Sequence, residues 1–330
     1  MSDSVAHIIV VGAGLSGLMA ATELQGFGAE VTVLDKGRGV GGRMASRRMQ
    51  APEGTAVLDH GAQFFTVRDP QFAQWVQQWE SLEVVRKWAQ GFGKEDGHPR
   101  YVGNPSMTAI AKHLAQDLEV RVQSKVEQIE LRETCWSVTL DSAEVLTADG
   151  LVLAAPVPQS LALLEAGRVE LSRSDRSHLG SLEYDPCLAV LVLPEAPVEL
   201  PEPGALQIQG EPIAWIADNQ RKGISPVSAL TIHAGPRFSE THWETAPEVA
   251  TRLVLEAAQE RVAFIPREAQ LHRWRFSQPR NPWRERAYRA ECVRPLVFAG
   301  DAFGGPKVEG AALSGLAAAE QVLVALSTLT

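Results

Sequence analysis

Gly12, Gly14 and Gly17 stand in the spacing G-x-G-x-x-G, and they mark the first place where this chain could do chemistry. In that spacing the first glycine permits a tight turn. The second lets a pyrophosphate approach the backbone, and the third lets a helix pack on a strand. Asp35 follows about 20 residues on, where a carboxylate can take a ribose hydroxyl. Gly37, Gly39, Gly41 and Gly42 then lead to Arg43, a second turn that offers more N–H groups and a cation to the same pyrophosphate. Far downstream, Gly300 and Asp301 put another carboxylate after an apolar run, a placement that suits the ribityl chain of a flavin. Between Leu271 and Arg294, seven arginines stand against Glu285 and Glu291, a local charge of +5 on a chain of net charge −9. That stretch is either a solvated basic surface or a landing area for an anionic substrate, with Trp274 available to stack on a planar ring. Gln63, one step past Gly61 and Ala62, is expected to face the flavin. His233 lies in an apolar run, where a satisfied core histidine competes with a catalytic one.

Several familiar constellations are missing. The chain has no G-x-S-x-G, no H-E-x-x-H, no C-x-x-C and no second G-x-G-x-x-G for a pyridine nucleotide. Electrons should therefore reach a flavin from a substrate bound directly over it.

These residues need particular elements to hold them. Ile8–Val11 reads as a buried parallel strand, Val31–Asp35 as a second, and an alanine-rich helix follows Gly17. Pro295–Ala299 reads as another strand, with a helix from about Val308. Val57–Thr66 is strand-like, and Gly61 in its middle suggests close approach of backbone to a ligand. Phe72, Trp75, Val76 and Trp79 indicate an amphipathic helix within Pro70–Trp88, followed by a polar loop from Gly91 to Gly103. A helix capped by Ser106 should run to Leu118. Residues 120–122, 126–131 and 136–140 read as short antiparallel strands, and Gly150–Ala155 as a strand returning to the first sheet. From Val157 to Glu291, strands near 189–193, 213–217 and 230–234 and a helix over Pro247–Phe264 suggest a mixed sheet.

With 330 residues, 45 % hydrophobic and 22 % charged, the composition is that of a globular protein of two domains. The negative net charge argues against nucleic-acid binding. Cys135, Cys187 and Cys292 are widely spaced, without metal-ligand spacing, and are expected to be buried thiols. Met-Ser-Asp-Ser lacks a basic leader pattern, and the run 310–329 contains Glu320 and Gln321, so a packed helix and a cytoplasmic protein are expected.

The three glycine-rich parts together resemble flavoprotein oxidoreductases with a glutathione-reductase-like FAD domain. Gly42-Arg43-Met44, Asp59 to Thr66, Ala217 to Lys222, Trp274 to Gln278 and Ala299-Gly300-Asp301 further resemble the renalase family, its bacterial members above all. The resemblance implies FAD oxidases of a p-hydroxybenzoate-hydroxylase-like fold. Such enzymes oxidise 2- and 6-dihydro-NAD(P) to NAD(P)+ by hydride transfer to flavin N5 and pass the electrons to O2 as hydrogen peroxide. The fold expected is therefore α/β. A Rossmann-like FAD domain (1–70, 104–158, 291–330) carries an inserted mixed β-sheet substrate domain (71–103, 159–290), with the active site between them. FAD is expected to be non-covalent, held by Gly12, Ala13, Gly14, Leu15, Ser16, Gly17, Asp35, Lys36, Gly42, Arg43, Met44, His60, Gly61, Ala62, Gln63, Val126, Gly300, Asp301, Glu309, Gly310 and Ala311. Gln63, Trp274, Arg275 and His233 are the catalytic candidates. The partners expected are a small-molecule substrate and O2, with no metal, nucleic acid, membrane or protein partner. A monoamine-oxidase-like enzyme would share the FAD half but need an aromatic cage for a neutral amine. A non-enzymatic flavin-binding redox module is the remaining alternative.

Overall fold

The apolar run at the N-terminus forms the strand His7–Val11, and its burial on both faces puts it inside a parallel sheet. It pairs in parallel with Glu30–Leu34 on one side and Gly150–Leu153 on the other. The sheet continues to Glu119–Arg121 at one edge, and through Leu296–Phe298 to the antiparallel Tyr288–Arg289 at the other. This computed structural model describes residues 5–92 and 94–328. Its contacts group the chain into two units, Met1–Gly42 with Ala111–Glu183 and Pro279–Thr330, and Arg43–Ile110 with Tyr184–Gln278. Residues 43–70 and 104–110 thus group with the second unit, and 159–183 and 279–290 with the first.

In the first unit, helices Leu15–Gly26 and Lys307–Ser327 pack so closely at Gly315 that a Cβ there would lie 2.2 Å from the carbonyl oxygen of Ser16. Lys307–Ser327 is long and apolar enough, by length and composition, to cross a membrane, yet 56 % of its most apolar window is buried in the protein. A three-stranded antiparallel sheet (Val126–Leu131, Trp136–Leu140, Val145–Ala148) and helices Val157–Ala166 and Arg173–Gly180 complete this unit.

The second unit is built on a five-stranded sheet in the order Ala205–Gln207, Ile213–Asp218, Leu230–Ala234, Tyr184–Pro194, Pro266–Pro279. Tyr184–Pro194 is apolar on both faces because both are covered. Leu188, Val190 and Val192 pack with helix Pro247–Gln259, while Leu191 and Leu193 pack on Met49, Ala56 and Leu58 of the hairpin Ser46–Ala51/Gly54–Asp59. At the end of that hairpin, Asp59 meets Lys222 at 2.8 Å, and both side chains are fully buried. The other carboxylate oxygen accepts from the Ser46 hydroxyl at 2.6 Å and the Met107 N–H at 3.1 Å. The Asp59 N–H donates to Asn219, and its carbonyl accepts from Gln63 and Thr231.

The structure departs from the sequence reading in several places. The helix starting at Pro70 ends at Ser81, and a positive φ at Glu83 turns the chain into the hairpin Val85–Phe92/Lys94–Gly103. The loop expected from Gly91 to Gly103 covers the whole of that second strand. Cross-strand pairing, which local composition does not report, makes it extended. Residues 119–121 do not join the antiparallel strands but pair in parallel with Glu30–Leu34. The strand expected to reach Thr66 stops at Asp59, and the helix expected from Ser106 begins at Thr108. Of the three cysteines only Cys187 is buried.

Two outcomes follow from this packing. Gly315→Ala should cost about 2 kcal/mol or more, because the added methyl meets backbone that cannot yield, and thermal unfolding would register the loss. Lys222→Met should cost about 3–5 kcal/mol by leaving Asp59 buried without its cation. The double variant Asp59→Asn/Lys222→Met should recover much of that in urea denaturation. A double variant no more stable than the single one would show that the pair is not the anchor.

Candidate functional site

The first unit carries a strand–turn–helix cradle. Gly12, at φ +110°, donates its N–H to Leu34 O at 2.7 Å and turns the strand toward the helix. Gly17 allows the helix to close on that turn, since a Cβ there would lie 2.0 Å from Gly12 O. Gly14 is the N-cap of the helix that begins at Leu15. It offers no side-chain cap, and a Cβ added to it would meet nothing within 4 Å. Open space and uncapped helix N–H groups therefore coincide, and the Ser16 hydroxyl is buried there without a partner. A pyrophosphate fits all three observations.

Asp35 accepts the N–H of Ala13 at 2.7 Å and that of Gly37 at 2.6 Å, one on each oxygen. These bonds fix the carboxylate and leave lone pairs for a ribose hydroxyl. The second glycine-rich turn docks on the first through Gly41 N–H to Ala13 O at 2.8 Å and a bridge between Gly14 and Gly41. Lys36 instead reaches Gln159 at 3.2 Å. Gly300, at φ +140°, donates to the Ser314 hydroxyl at 2.9 Å, and Asp301 beside it is buried. Glu309 lies in the first turn of its helix, with Gly310 and Ala311 next in sequence, and Gly310 abuts Gly305 O. Val126 is buried at the start of its strand.

The second unit holds a turn of a different kind, from Asp59 to Gln63. Gly61 does come close to backbone, but the backbone is protein: a Cβ there would lie 2.0 Å from Arg43 O, which accepts the Ala62 N–H at 2.8 Å. The His60 carbonyl accepts from Trp274 Nε1 at 2.8 Å and from His233 Nε2 at 3.2 Å. The His60, His272 and Trp274 rings form a box with centroids 4.2–5.1 Å apart. Burial and the neighbouring His272 and Arg47 push His60 down to about 3. Burial likewise takes His233 and His272 to about 4, with Arg47 adding to the effect on His272. All three rings are neutral at pH 7. The box is therefore polar in its atoms but carries no charge.

Strand alternation separates two of the catalytic candidates. Trp274 points toward His60, whereas Arg275 points to the other face of Pro266–Pro279. There its guanidinium lies 5.3 Å from the Trp243 ring centre and 3.9 Å from Glu244, and the side chain is 62 % exposed. The remaining arginines of the basic stretch, from Arg280 to Arg294, belong to the first unit. Arg43 donates to the carbonyls of Phe276 and Ser277, and Met44 is buried. The structure thus brings together His60, Gln63, Trp274 and His233 and leaves Arg275 apart. It adds Asp59, Lys222, His272 and Arg47. Asp59 and Lys222 stood in stretches that drew attention in sequence, but 163 positions separate the two partners.

The chain is similar to known proteins over much of its length. The family described as "Flavin containing amine oxidoreductase" matches residues 88–323, and the "NAD(P)-binding Rossmann-like domain" matches residues 10–79. Renalase of Mus musculus is 25 % identical over 94 % of this chain and 96 % of its own length. L-amino-acid oxidase of Bothrops pauloensis is 29 % identical over 44 % of this chain and only 31 % of its own length. A solved putrescine oxidase bound to putrescine shares the fold at a TM-score of 0.66 and 14 % identity, covering 99 % of both chains. The chain belongs to the flavin-containing amine oxidoreductase family, as a renalase-like flavoenzyme whose cofactor is FAD.

Proposed function

We propose that this oxidoreductase converts 2- and 6-dihydro-NAD(P) to NAD(P)+, so that substrate, O2 and a proton give NAD(P)+ and hydrogen peroxide. The observation that carries the reading is the extent of the likeness to renalase, which runs through 94 % of this chain, whereas that to L-amino-acid oxidase stops at 44 %. Bound FAD supplies a hydride acceptor that can return the electron pair to oxygen. Gly14, Ser16, Asp35 and Asp301 are the residues suited to hold it. At the His60 turn the protein contributes position. Trp274, fixed through its N–H, offers a face for a planar ring, and His60 and His272 extend that surface without adding charge. A dihydronicotinamide becomes aromatic as it gives up hydride, so no residue has to take a proton. Histidines whose conjugate acids titrate near 3 to 4 are poor bases at neutral pH, which agrees.

The amine-oxidase reading draws on a second aromatic group, Phe64, Trp88, Phe92 and Trp215. Lys222 lies 5.3 Å over Trp88, and Arg100 lies 5.6 and 5.8 Å over Phe64 and Phe92. An amine would compete with these cations for the rings.

Anaerobic rapid mixing separates the two readings. Flavin absorbance should bleach with 6-dihydro-NAD and stay unchanged with benzylamine or putrescine; the reverse pattern would establish the amine oxidase. The histidines give a pH test. Their folded-state values lie below the unfolded 6.5, so the unfolded chain binds more protons between about 3 and 6.5. Stability should therefore be full above pH 6.5 and fall as the pH drops toward 4, by about 2 kcal/mol per histidine at pH 5. His60→Phe should flatten that slope in thermal melts. In the same variant, saturating reduction by 6-dihydro-NAD should change by less than about tenfold over pH 6–9, since loss of an essential base costs about 100-fold or more.

A further inference from the structure

Two buried polar atoms in the His60–Gln63 turn have no hydrogen-bond partner. Gln63 is 6 % exposed, and its Nε2 donates to the carbonyls of Asp59 at 2.6 Å and Gly61 at 3.1 Å. Two carbonyls can be served only by the NH2 end, so the amide orientation is settled and Oε1 is left as an acceptor. That oxygen is buried and unpartnered. His60 is 4 % exposed and has a bare, buried Nδ1. In a neutral imidazole one ring nitrogen is an acceptor, a role that Nδ1 takes when the proton is on Nε2. Buried acceptors are ordinarily met by a donor. Here two lie in one four-residue turn, and the His60 ring sits beside that of Trp274, on which a planar ligand could stack.

We propose that Gln63 Oε1 and His60 Nδ1 are the acceptors that read the N–H donors of a planar heteroaromatic ring carrying an amide or imide group. Because Gln63 Oε1 cannot donate, and Nδ1 does not when the proton is on Nε2, the pair selects a carboxamide over a carboxylate at the same position. Two sources share this chemistry, the imide of the flavin's pyrimidine ring and the carboxamide of a nicotinamide. The second source rests on the dihydro-NAD(P) reading, and the first does not.

The test uses Gln63→Met and His60→Phe, with folding checked by circular dichroism. FAD affinity is read by reconstituting apoprotein, and ligand affinity by titrating holoenzyme with NAD+ and with its nicotinic-acid analogue while following flavin absorbance. For a carboxamide donor, the wild type should favour NAD+ by about tenfold or more, and Gln63→Met should erase the preference with FAD affinity held within about twofold. For an imide donor, either variant should weaken FAD by about tenfold or more while the preference persists. FAD affinity and preference unchanged in both variants would overturn the proposal and leave the acceptors to water. If the variants fail to fold, the wild type decides alone. Equal binding of FAD and its N3-methyl analogue, together with equal binding of NAD+ and the acid analogue, would also overturn it. Failure of 6-dihydro-NAD to bleach the flavin would remove the functional reading and the carboxamide source, and the FAD measurements would still decide the imide source.

Discussion

The buried ion pair of Asp59 and Lys222 is the constraint on which the second unit depends. Moving a lysine ammonium out of water is costly, and burial lowers its proton affinity while Asp59 opposes that shift. The cost is met only with a well-aligned partner whose remaining oxygen is also satisfied, and Ser46 and Met107 supply that. The result is a junction of several chain segments at one carboxylate. A residue so constrained cannot shift without disturbing the hairpin, the sheet and the turn together.

The turn inherits that rigidity. The Asp59 carbonyl orients the Gln63 amide, and the His60 carbonyl next along holds both Trp274 and His233. One strand end thus sets the direction of three side chains. Their chemistry is consistent in kind. Each ring presents polar atoms, and burial with nearby cations keeps each histidine uncharged. Such histidines are poor bases at neutral pH.

The cradle in the first unit depends on close approach rather than charge. Gly12, Gly17, Gly310 and Gly315 each sit where a side chain would meet backbone, whereas Gly14 sits where it would meet open space. The first four serve the fold. Gly14 leaves room for a ligand. Asp35 belongs to both classes, because its bonds to Ala13 and Gly37 tie the two turns together while leaving acceptor capacity.

The sequence by itself determined the features that local chemistry dictates: the buried strand at Ile8–Val11, the glycine spacing, Asp35, the Gly300–Asp301 strand end and the helix after it. Each is decided within a few residues by burial, backbone conformation or the approach of a phosphate, so composition and spacing carry the signal. Tertiary structure alone decided what depends on partners distant in sequence. Residues 94–103 became a strand because Val85–Phe92 pairs with them, and 119–121 joined the parallel sheet because Glu30–Leu34 offered an edge. Arg275 and Trp274, adjacent in sequence and expected at one site, parted because neighbouring strand residues face opposite ways. Asp59 found Lys222 across 163 positions, and no periodicity encodes a pairing at that distance.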